Sequence, residues 1–64
     1  MKAYAVILED FDGRRIIHET DDCTDALNTA HERELGARDY KIEVYARYNG
    51  KTYYSRDRRG EVTQ

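Results

Sequence analysis

The sequence has few of the residues that build covalent scaffolds or elaborate active sites. Its 64 residues include no proline, no tryptophan, one cysteine and two histidines. The single Cys23 excludes an intramolecular disulfide framework, and no Cys/His cluster has zinc-finger spacing. A chain of this length buries only about 60% of the surface that its unfolded form exposes, which leaves little room for a deep pocket. The sequence therefore favours a single domain, residues 1–64, that is not an enzyme.

Long apolar segments are absent as well. The longest apolar run covers residues 3–8 and is followed by Glu9 and Asp10. Such a run is too short for the core of a signal peptide or for a membrane span. Because the chain also has only one cysteine, the expectation is a soluble protein of a reducing cytoplasm.

Charge is nearly balanced overall but unevenly distributed. The formal net charge is −2, from 11 Lys and Arg against 13 Asp and Glu. Residues 1–46 hold six basic and eleven acidic side chains, whereas residues 47–64 hold five basic and two acidic ones. Five of the six tyrosines lie within residues 40–54. A general nucleic-acid binder would be more basic, and the last third of the chain is the unusual surface.

The first half of the chain predicts a hairpin followed by a helix. Residues 3–9 are apolar on both faces, which is typical of a central strand, and a turn at 10–13 with Gly13 at positive φ leads into a second strand at 14–20. Asp22 is placed to cap a helix over about residues 23–35. Gly36 is placed to end that helix in the left-handed conformation.

The second half predicts another hairpin. Residues 40–48 alternate between apolar and polar side chains, and residues 51–57 follow an Asn49-Gly50 pair that is typical of a type I′ turn with both residues at positive φ. The expected fold is α+β: a four-stranded antiparallel sheet of ββαββ order, with the first strand central and one helix on one face.

The type I′ turn would place Tyr45 opposite Tyr54 on the uncovered face of the sheet. Arg47, Arg56 and Arg58 would lie beside this pair. Exposed tyrosine and arginine are enriched in protein interfaces, so the pair is interpreted as a partner-binding patch. The competing interpretation is a tyrosine pair that only stabilises the ladder, by about 0.2 to 1 kcal/mol.

Candidate chemical sites are few. Asp21, Asp22 and Asp25 form an acidic cluster that suits the positive end of the helix dipole, which explains them better than metal binding does. His18 and His31 belong to no recognised metal-binding motif, and the four glycines are isolated rather than grouped in a phosphate-binding loop. The sequence predicts no catalytic residue, no metal and no cofactor.

The order of elements resembles that of small phage-encoded anti-CRISPR proteins of the ββαββ kind, which inhibit type I surveillance complexes. The resemblance is carried by the opening Met1-Lys2-Ala3, the helix start Cys23-Thr24-Asp25-Ala26, and the hairpin Asn49-Gly50-Lys51-Thr52-Tyr53-Tyr54 followed by Arg58-Arg59-Gly60. The plan is also similar to that of podovirus-type inhibitors of host RNA polymerase.

The resemblance implies a non-enzymatic inhibitor in the cytoplasm of a bacterial host. Its partner would be the backbone protein of the crRNA-guided complex, whose basic groups hold target DNA. Asp21, Asp22 and Asp25 would then pair with those basic groups, and the tyrosine and arginine patch would anchor the contact.

Two alternatives remain open from the residues alone. The tyrosines and arginines of the last hairpin are of the kind that stack and clamp single-stranded DNA or RNA. A homodimer formed through a sheet edge or through the open sheet face fits the same pattern.

Overall fold

The computed structural model describes residues 2–60 and 62–63, so Met1, Glu61 and Gln64 lie outside the description. Its elements are β1 (Tyr4–Asp10), β2 (Gly13–Thr20), α1 (Cys23–Glu32), β3 (Asp39–Ala46), β4 (Lys51–Asp57) and β5 (Val62–Thr63). The strands form one antiparallel sheet in the order β2-β1-β3-β4-β5. The predicted α+β arrangement of four strands and one helix is confirmed, with β1 inside the sheet. The two-residue β5 adds a strand that was not predicted.

The core lies between α1 and one face of the sheet. Its largest fully buried side chains come from the two middle strands: Val6 and Leu8 of β1, and Ile42 and Val44 of β3. The helix contributes Ala26 and Ala30, both fully buried, and the partly buried Leu27 packs against this core. Because alanine is small, the helix backbone can approach the sheet closely, and burial of apolar area drives this packing.

The helix begins as predicted and ends earlier. Asp22 caps it, since its Oδ1 accepts a hydrogen bond from the Thr24 amide at 2.9 Å. The helix ends at Glu32, and Gly36 is not among the glycines with positive φ, so the predicted left-handed cap was wrong. Instead, the Arg56 guanidinium donates hydrogen bonds to the carbonyls of Ala30 (3.0 Å) and Arg33. A side chain from β4 therefore donates hydrogen bonds to carbonyls at the end of α1, in place of the backbone amides of a glycine cap.

The two hairpins differ in how well the sequence predicts them. Gly13 closes the first at φ 119°, as expected. The predicted type I′ turn at Asn49-Gly50 was wrong, because Gly50 has φ 71° but Asn49 does not have positive φ. The loop covers residues 47–50, and the Gly50 amide donates to the Ala46 carbonyl at 2.9 Å. Four-residue loops of this kind usually contain a type I turn rather than a type I′ turn.

The longer loop changes the register between β3 and β4. Ala46 lies opposite Lys51, and after an irregularity at Val44/Tyr45 the pairs become Val44 with Tyr54 and Glu43 with Ser55. The predicted partner of Tyr54 was Tyr45. Since successive side chains of a strand point to opposite faces, this shift of one residue moves Tyr54 to the helix-covered face.

Candidate binding surface

The two tyrosines of the predicted patch lie on opposite faces of the sheet. Tyr54 is only 3% exposed and packs under α1, where its ring meets the ring of His31 edge to face at 4.6 Å. Tyr45 lies opposite Ala5 and Thr52 on the other face. The prediction that they stand side by side was therefore wrong, because the extra residue Tyr53 at the Val44/Tyr45 irregularity moves Tyr54 to the other face.

The three arginines of the predicted patch are also separated. Arg47 is held by Glu19, with Nη1 2.6 Å from Oε2, and by the Lys2 carbonyl. Arg56 points toward the end of α1, as described above. Arg58 donates from Nη1 to the Ala37 carbonyl at 3.0 Å. None of the three borders a Tyr45/Tyr54 pair, so the patch does not exist as predicted.

The acidic cluster at the helix start holds neighbouring segments in place. Asp21 accepts a hydrogen bond from the Ala3 amide at 2.8 Å and Asp22 caps α1. Asp25 pairs with the His18 ring, with Oδ2 2.9 Å from Nε2. All three carboxylates remain exposed at the surface. Their structural interpretation is supported by these contacts, and their contact with a partner stays a prediction.

Hydrogen bonds lower the pKa of two of these aspartates. The hydrogen bond from the Ala3 amide lowers the pKa of Asp21, and the hydrogen bond with His18 lowers the pKa of Asp25. A carboxyl whose pKa is lower in the folded state binds its proton more weakly there than in the unfolded chain. The stability that it adds is present above the ordinary aspartate pKa and is lost as pH falls below it.

We therefore expect the free energy of unfolding to decrease as pH drops below about 4. Asp21→Asn with Asp25→Asn should flatten this dependence, because the variant has lost both titrating groups. Urea unfolding at a series of pH values measures both slopes. Equal slopes in the variant and the parent would contradict the assignment of acid sensitivity to these two carboxylates.

An exposed cluster of aromatic and arginine side chains lies at the end of the sheet where α1 ends. We call Phe11, Arg38, Tyr40 and Arg58 the arginine–aromatic cluster. The two rings meet edge to face with centroids 5.0 Å apart. The Arg38 Cζ lies 5.6 Å from the centroid of the Phe11 ring, and the Arg58 Cζ lies 5.7 Å from that of Tyr40. Phe11 is 55% exposed and Tyr40 39% exposed, so the rings are open to a partner.

Backbone hydrogen bonds fix the three segments that carry this cluster. The Phe11 amide, in the β1–β2 turn, donates to the Arg38 carbonyl at 3.2 Å. The Arg58 amide donates to the Tyr40 carbonyl at 3.0 Å. These contacts join the first hairpin, the start of β3 and the end of β4. The cluster is therefore held by rigid elements, which lowers the entropy cost of binding.

The sequence interpretation included Arg58 but missed the other three members. Phe11 stands in a turn, and Arg38 and Tyr40 stand about 30 residues further along the chain. An apolar ring in a turn otherwise made of aspartate and glycine is a signal that sequence alone offers. Its partners emerge only from the pairing of β1 with β3 and of β3 with β4.

The two guanidinium groups of the cluster differ from the other arginines in their acidic neighbours. Within residues 2–60 and 62–63, no carboxylate lies within salt-bridge distance of Arg38 or Arg58. By contrast, Arg14, Arg15 and Arg47 each lie within about 2.6 Å of a carboxylate oxygen. The cluster thus presents two positive charges that form no ion pair with the described residues.

A second aromatic group lies at the opposite end of β1. Tyr4, Tyr48 and Tyr53 contact one another, with ring centroids 5.9 to 6.4 Å apart. The hydroxyls of Tyr48 and Tyr53 are hydrogen-bonded to each other, and Asn49 donates to that of Tyr53. A hydrogen bond with Tyr4 raises the pKa of Tyr48. Because these hydroxyls are hydrogen-bonded within the group, the three tyrosines pack together and order the loop at 47–50.

Other kinds of site were also sought. Across the described part of the chain, no three His, Cys, Asp or Glu side chains are grouped so as to hold a metal ion. In that same part, no helix is both long and apolar enough to cross a membrane. A shallow groove lined by Leu35, Arg56 and Arg58 opens beside the arginine–aromatic cluster.

Comparison with protein-family models, with curated proteins and with solved structures finds no match. The function of the chain therefore has to be argued from its own residues and contacts.

Proposed function

We propose that this protein is a non-enzymatic phage protein that inhibits a bacterial nucleic-acid machine by covering part of its protein surface. The sequence resemblance to small anti-CRISPR proteins specifies the target as a type I crRNA-guided complex, which would be kept from its target DNA. The proposal is supported by the presence of a preformed, exposed binding surface.

The observation that carries the proposal is the arginine–aromatic cluster. Aromatic rings and arginines dominate the energy of protein interfaces because they bury large areas while losing little conformational freedom. Here Phe11 and Tyr40 are exposed and already fixed against each other, and the guanidinium groups lie over their rings. A partner that offers a carboxylate to Arg38 or Arg58 displaces no ion pair among residues 2–60 and 62–63.

The opposite end of the helix offers a surface of opposite charge. α1 has ten residues and is therefore about 15 Å long. Asp21, Asp22 and Asp25 lie at its start, and the arginine–aromatic cluster lies beyond its end. An acidic end suits the basic groups with which a nucleic-acid machine holds DNA, as the resemblance implies, while the cluster supplies the anchor.

A second candidate is direct binding of single-stranded DNA or RNA by the same cluster. It is favoured by the combination of arginines and rings, which is typical of strands that stack on aromatic platforms. However, base stacking needs open ring faces. One face of each ring is occupied by a guanidinium, and one ring also turns a face to the edge of the other. Protein binding therefore fits the geometry better.

The test measures binding of labelled target DNA by a purified type I complex as this protein is added. We expect DNA binding to be lost in the presence of the protein. Arg38→Ala with Arg58→Ala should raise the concentration needed by about tenfold or more, since interface arginines often contribute more than 1.4 kcal/mol each.

Lys51→Ala is the matched control, because it removes an exposed positive charge from the far hairpin. It should inhibit as well as the parent protein does. Unchanged DNA binding by the complex would refute inhibition of a type I complex, and a transcription assay with RNA polymerase then tests the other resemblance. A labelled oligonucleotide that binds the protein alone, with affinity falling steeply as salt rises, would favour the second candidate.

A further inference from the structure

The outer edge of β2 is uncovered. β2 is the first strand in the order β2-β1-β3-β4-β5, and no strand of the described residues lies beyond it. Residues 13–16 and Glu19 are exposed. The opposite edge is at least partly covered, since β5 pairs with β4. An open edge of eight residues presents unpaired amides and carbonyls on which another strand can add.

The register shows which residues of β2 turn these groups outward. Asp10 and Gly13 close a two-residue hairpin loop, so this pair exchanges hydrogen bonds, and bonded and non-bonded pairs then alternate along the ladder. The non-bonded pairs are Glu9 with Arg14, Ile7 with Ile16 and Ala5 with Glu19. Arg14, Ile16 and Glu19 therefore direct their amides and carbonyls away from β1.

Two backbone hydrogen bonds on the other side of β1 agree with this assignment. The Arg47 amide donates to the Ala3 carbonyl at 2.8 Å, and the Phe11 amide donates to the Arg38 carbonyl. The backbone amides and carbonyls of the odd-numbered residues of β1 therefore point toward β3, and those of the even-numbered residues point toward β2. Residues of β2 that lie opposite odd-numbered residues of β1 turn their own amides and carbonyls away from β1. This agrees with the assignment from the hairpin loop.

The outward positions Arg14, Ile16 and Glu19 of one β2 strand are complementary to the same positions of a second β2 strand. When two β2 strands run antiparallel about a two-fold axis at Ile16, Ile16 meets Ile16 of the second copy. Arg14 of each copy then meets Glu19 of the other. The irregularity between Val6 and Ile7 makes this possible, because the extra residue Ile17 places Glu19 rather than His18 at the outward position.

We infer that the β2 edge joins a second copy of this chain in an antiparallel, two-fold symmetric dimer. The sheets of the two copies become one continuous sheet, and each copy gains the same contacts from the other, as two-fold symmetry requires. Ile16, which is 47% exposed in the single chain, gains an apolar neighbour. This inference does not depend on the proposed function.

The charges on the open face support this arrangement. Within one chain the Arg14 Nη2 lies 2.5 Å from the Glu43 Oε1, and the Arg47 Nη1 lies 2.6 Å from the Glu19 Oε2. In the dimer, the Glu43 and Arg14 side chains of one copy are followed, across the two-fold axis, by the Glu19 and Arg47 side chains of the other copy. Negative and positive charges alternate along this row. Arg14 and Glu19 therefore each lie between two charges of opposite sign.

The first test combines sedimentation equilibrium with amide hydrogen exchange of the unmodified protein. We expect a monomer–dimer equilibrium between low micromolar and millimolar concentration. The amides of Arg14, Ile16 and Glu19 should become protected as concentration rises, whereas that of Arg15 should be protected throughout. A protein that stays monomeric, or a dimer in which these three amides exchange freely, would overturn the inference and leave the edge to a strand of another protein or to none.

The second test reverses one charge at a time. Arg14→Glu or Glu19→Arg alone should weaken the dimer about tenfold or more, since both symmetric contacts become repulsive. Mixed in equal amounts, the two variants should form a heterodimer with Arg–Glu pairs at both contacts. Circular dichroism confirms that each variant is folded. Failure of folded variants to associate on mixing, with dimerisation of the parent intact, would exclude this register.

Discussion

Replacing Tyr54 with alanine is expected to destabilise the protein by about 3 kcal/mol or more, as for other large buried side chains. Tyr54 is 3% exposed, and its ring lies between the buried strand residues and His31 on α1. Removal leaves a cavity that the two small alanines of the helix cannot fill. Because a small domain is stable by only about 5–15 kcal/mol, much of its stability would be lost. Urea unfolding followed by circular dichroism measures the change.

Tyr45→Ala is the matched control, since it removes the same side chain from the opposite face. Tyr45 is only partly buried, and its loss should destabilise the protein by about 1 kcal/mol or less. Tyr54→Phe should be close to the parent, because the ring carries the packing. If Tyr45→Ala and Tyr54→Ala destabilised the protein equally, the register in which Val44 opposes Tyr54 would be contradicted.

Replacing Arg56 with alanine is expected to destabilise the protein by about 2 kcal/mol or more. Its guanidinium donates to two carbonyls at the end of α1, and hydrogen bonds from charged groups each contribute about 1.5–3 kcal/mol. Among the described residues the buried Arg56 Nε has no hydrogen-bond partner, which offsets part of that gain. The loss should appear as a lower urea midpoint and as faster amide exchange in the last turn of α1.

Arg58→Ala tests whether Arg58, unlike Arg56, contributes to partner binding more than to stability. Arg58 is exposed, and its contacts with the Ala37 carbonyl and the Tyr40 ring lie at the surface. We expect a loss of stability of about 1 kcal/mol or less. In the DNA-binding assay, Arg58→Ala should weaken inhibition while the protein remains folded. If Arg58→Ala destabilised the protein as much as Arg56→Ala does, the two roles would not be distinct.

The candidate surface illustrates how a correct residue type can be assigned to the wrong place. The sequence predicts a surface of aromatic and arginine side chains, and the structure contains one. However, only Arg58 belongs to both. Tyr54 and Arg56 were expected at the surface from the register of a two-residue turn, yet the irregularity at Val44/Tyr45 turns both toward the helix. The Asn-Gly motif favours one turn and one register, whereas the observed register buries Tyr54 under α1.

Local patterns predict several features correctly. Residues 4–9 and 40–46 lie in strands, as their apolar content and alternation predict, and α1 begins directly after Asp22 because a short acidic side chain can satisfy its free amides. The interior position of β1 was also predicted, since a run that is apolar on both faces is typical of a central strand.

Three features arise only from contacts between segments that are distant in sequence: the register of β3 against β4, the end of α1 and the membership of the arginine–aromatic cluster. A strand's side chains alternate with a period of two, so the one extra residue at the Val44/Tyr45 irregularity exchanges the faces of the residues that follow it, whereas two additional loop residues alone would not. The end of the helix depends on Arg56, which is more than 20 residues away in sequence. Phe11, Tyr40 and Arg58 are brought together by strand pairing alone, which no local pattern encodes.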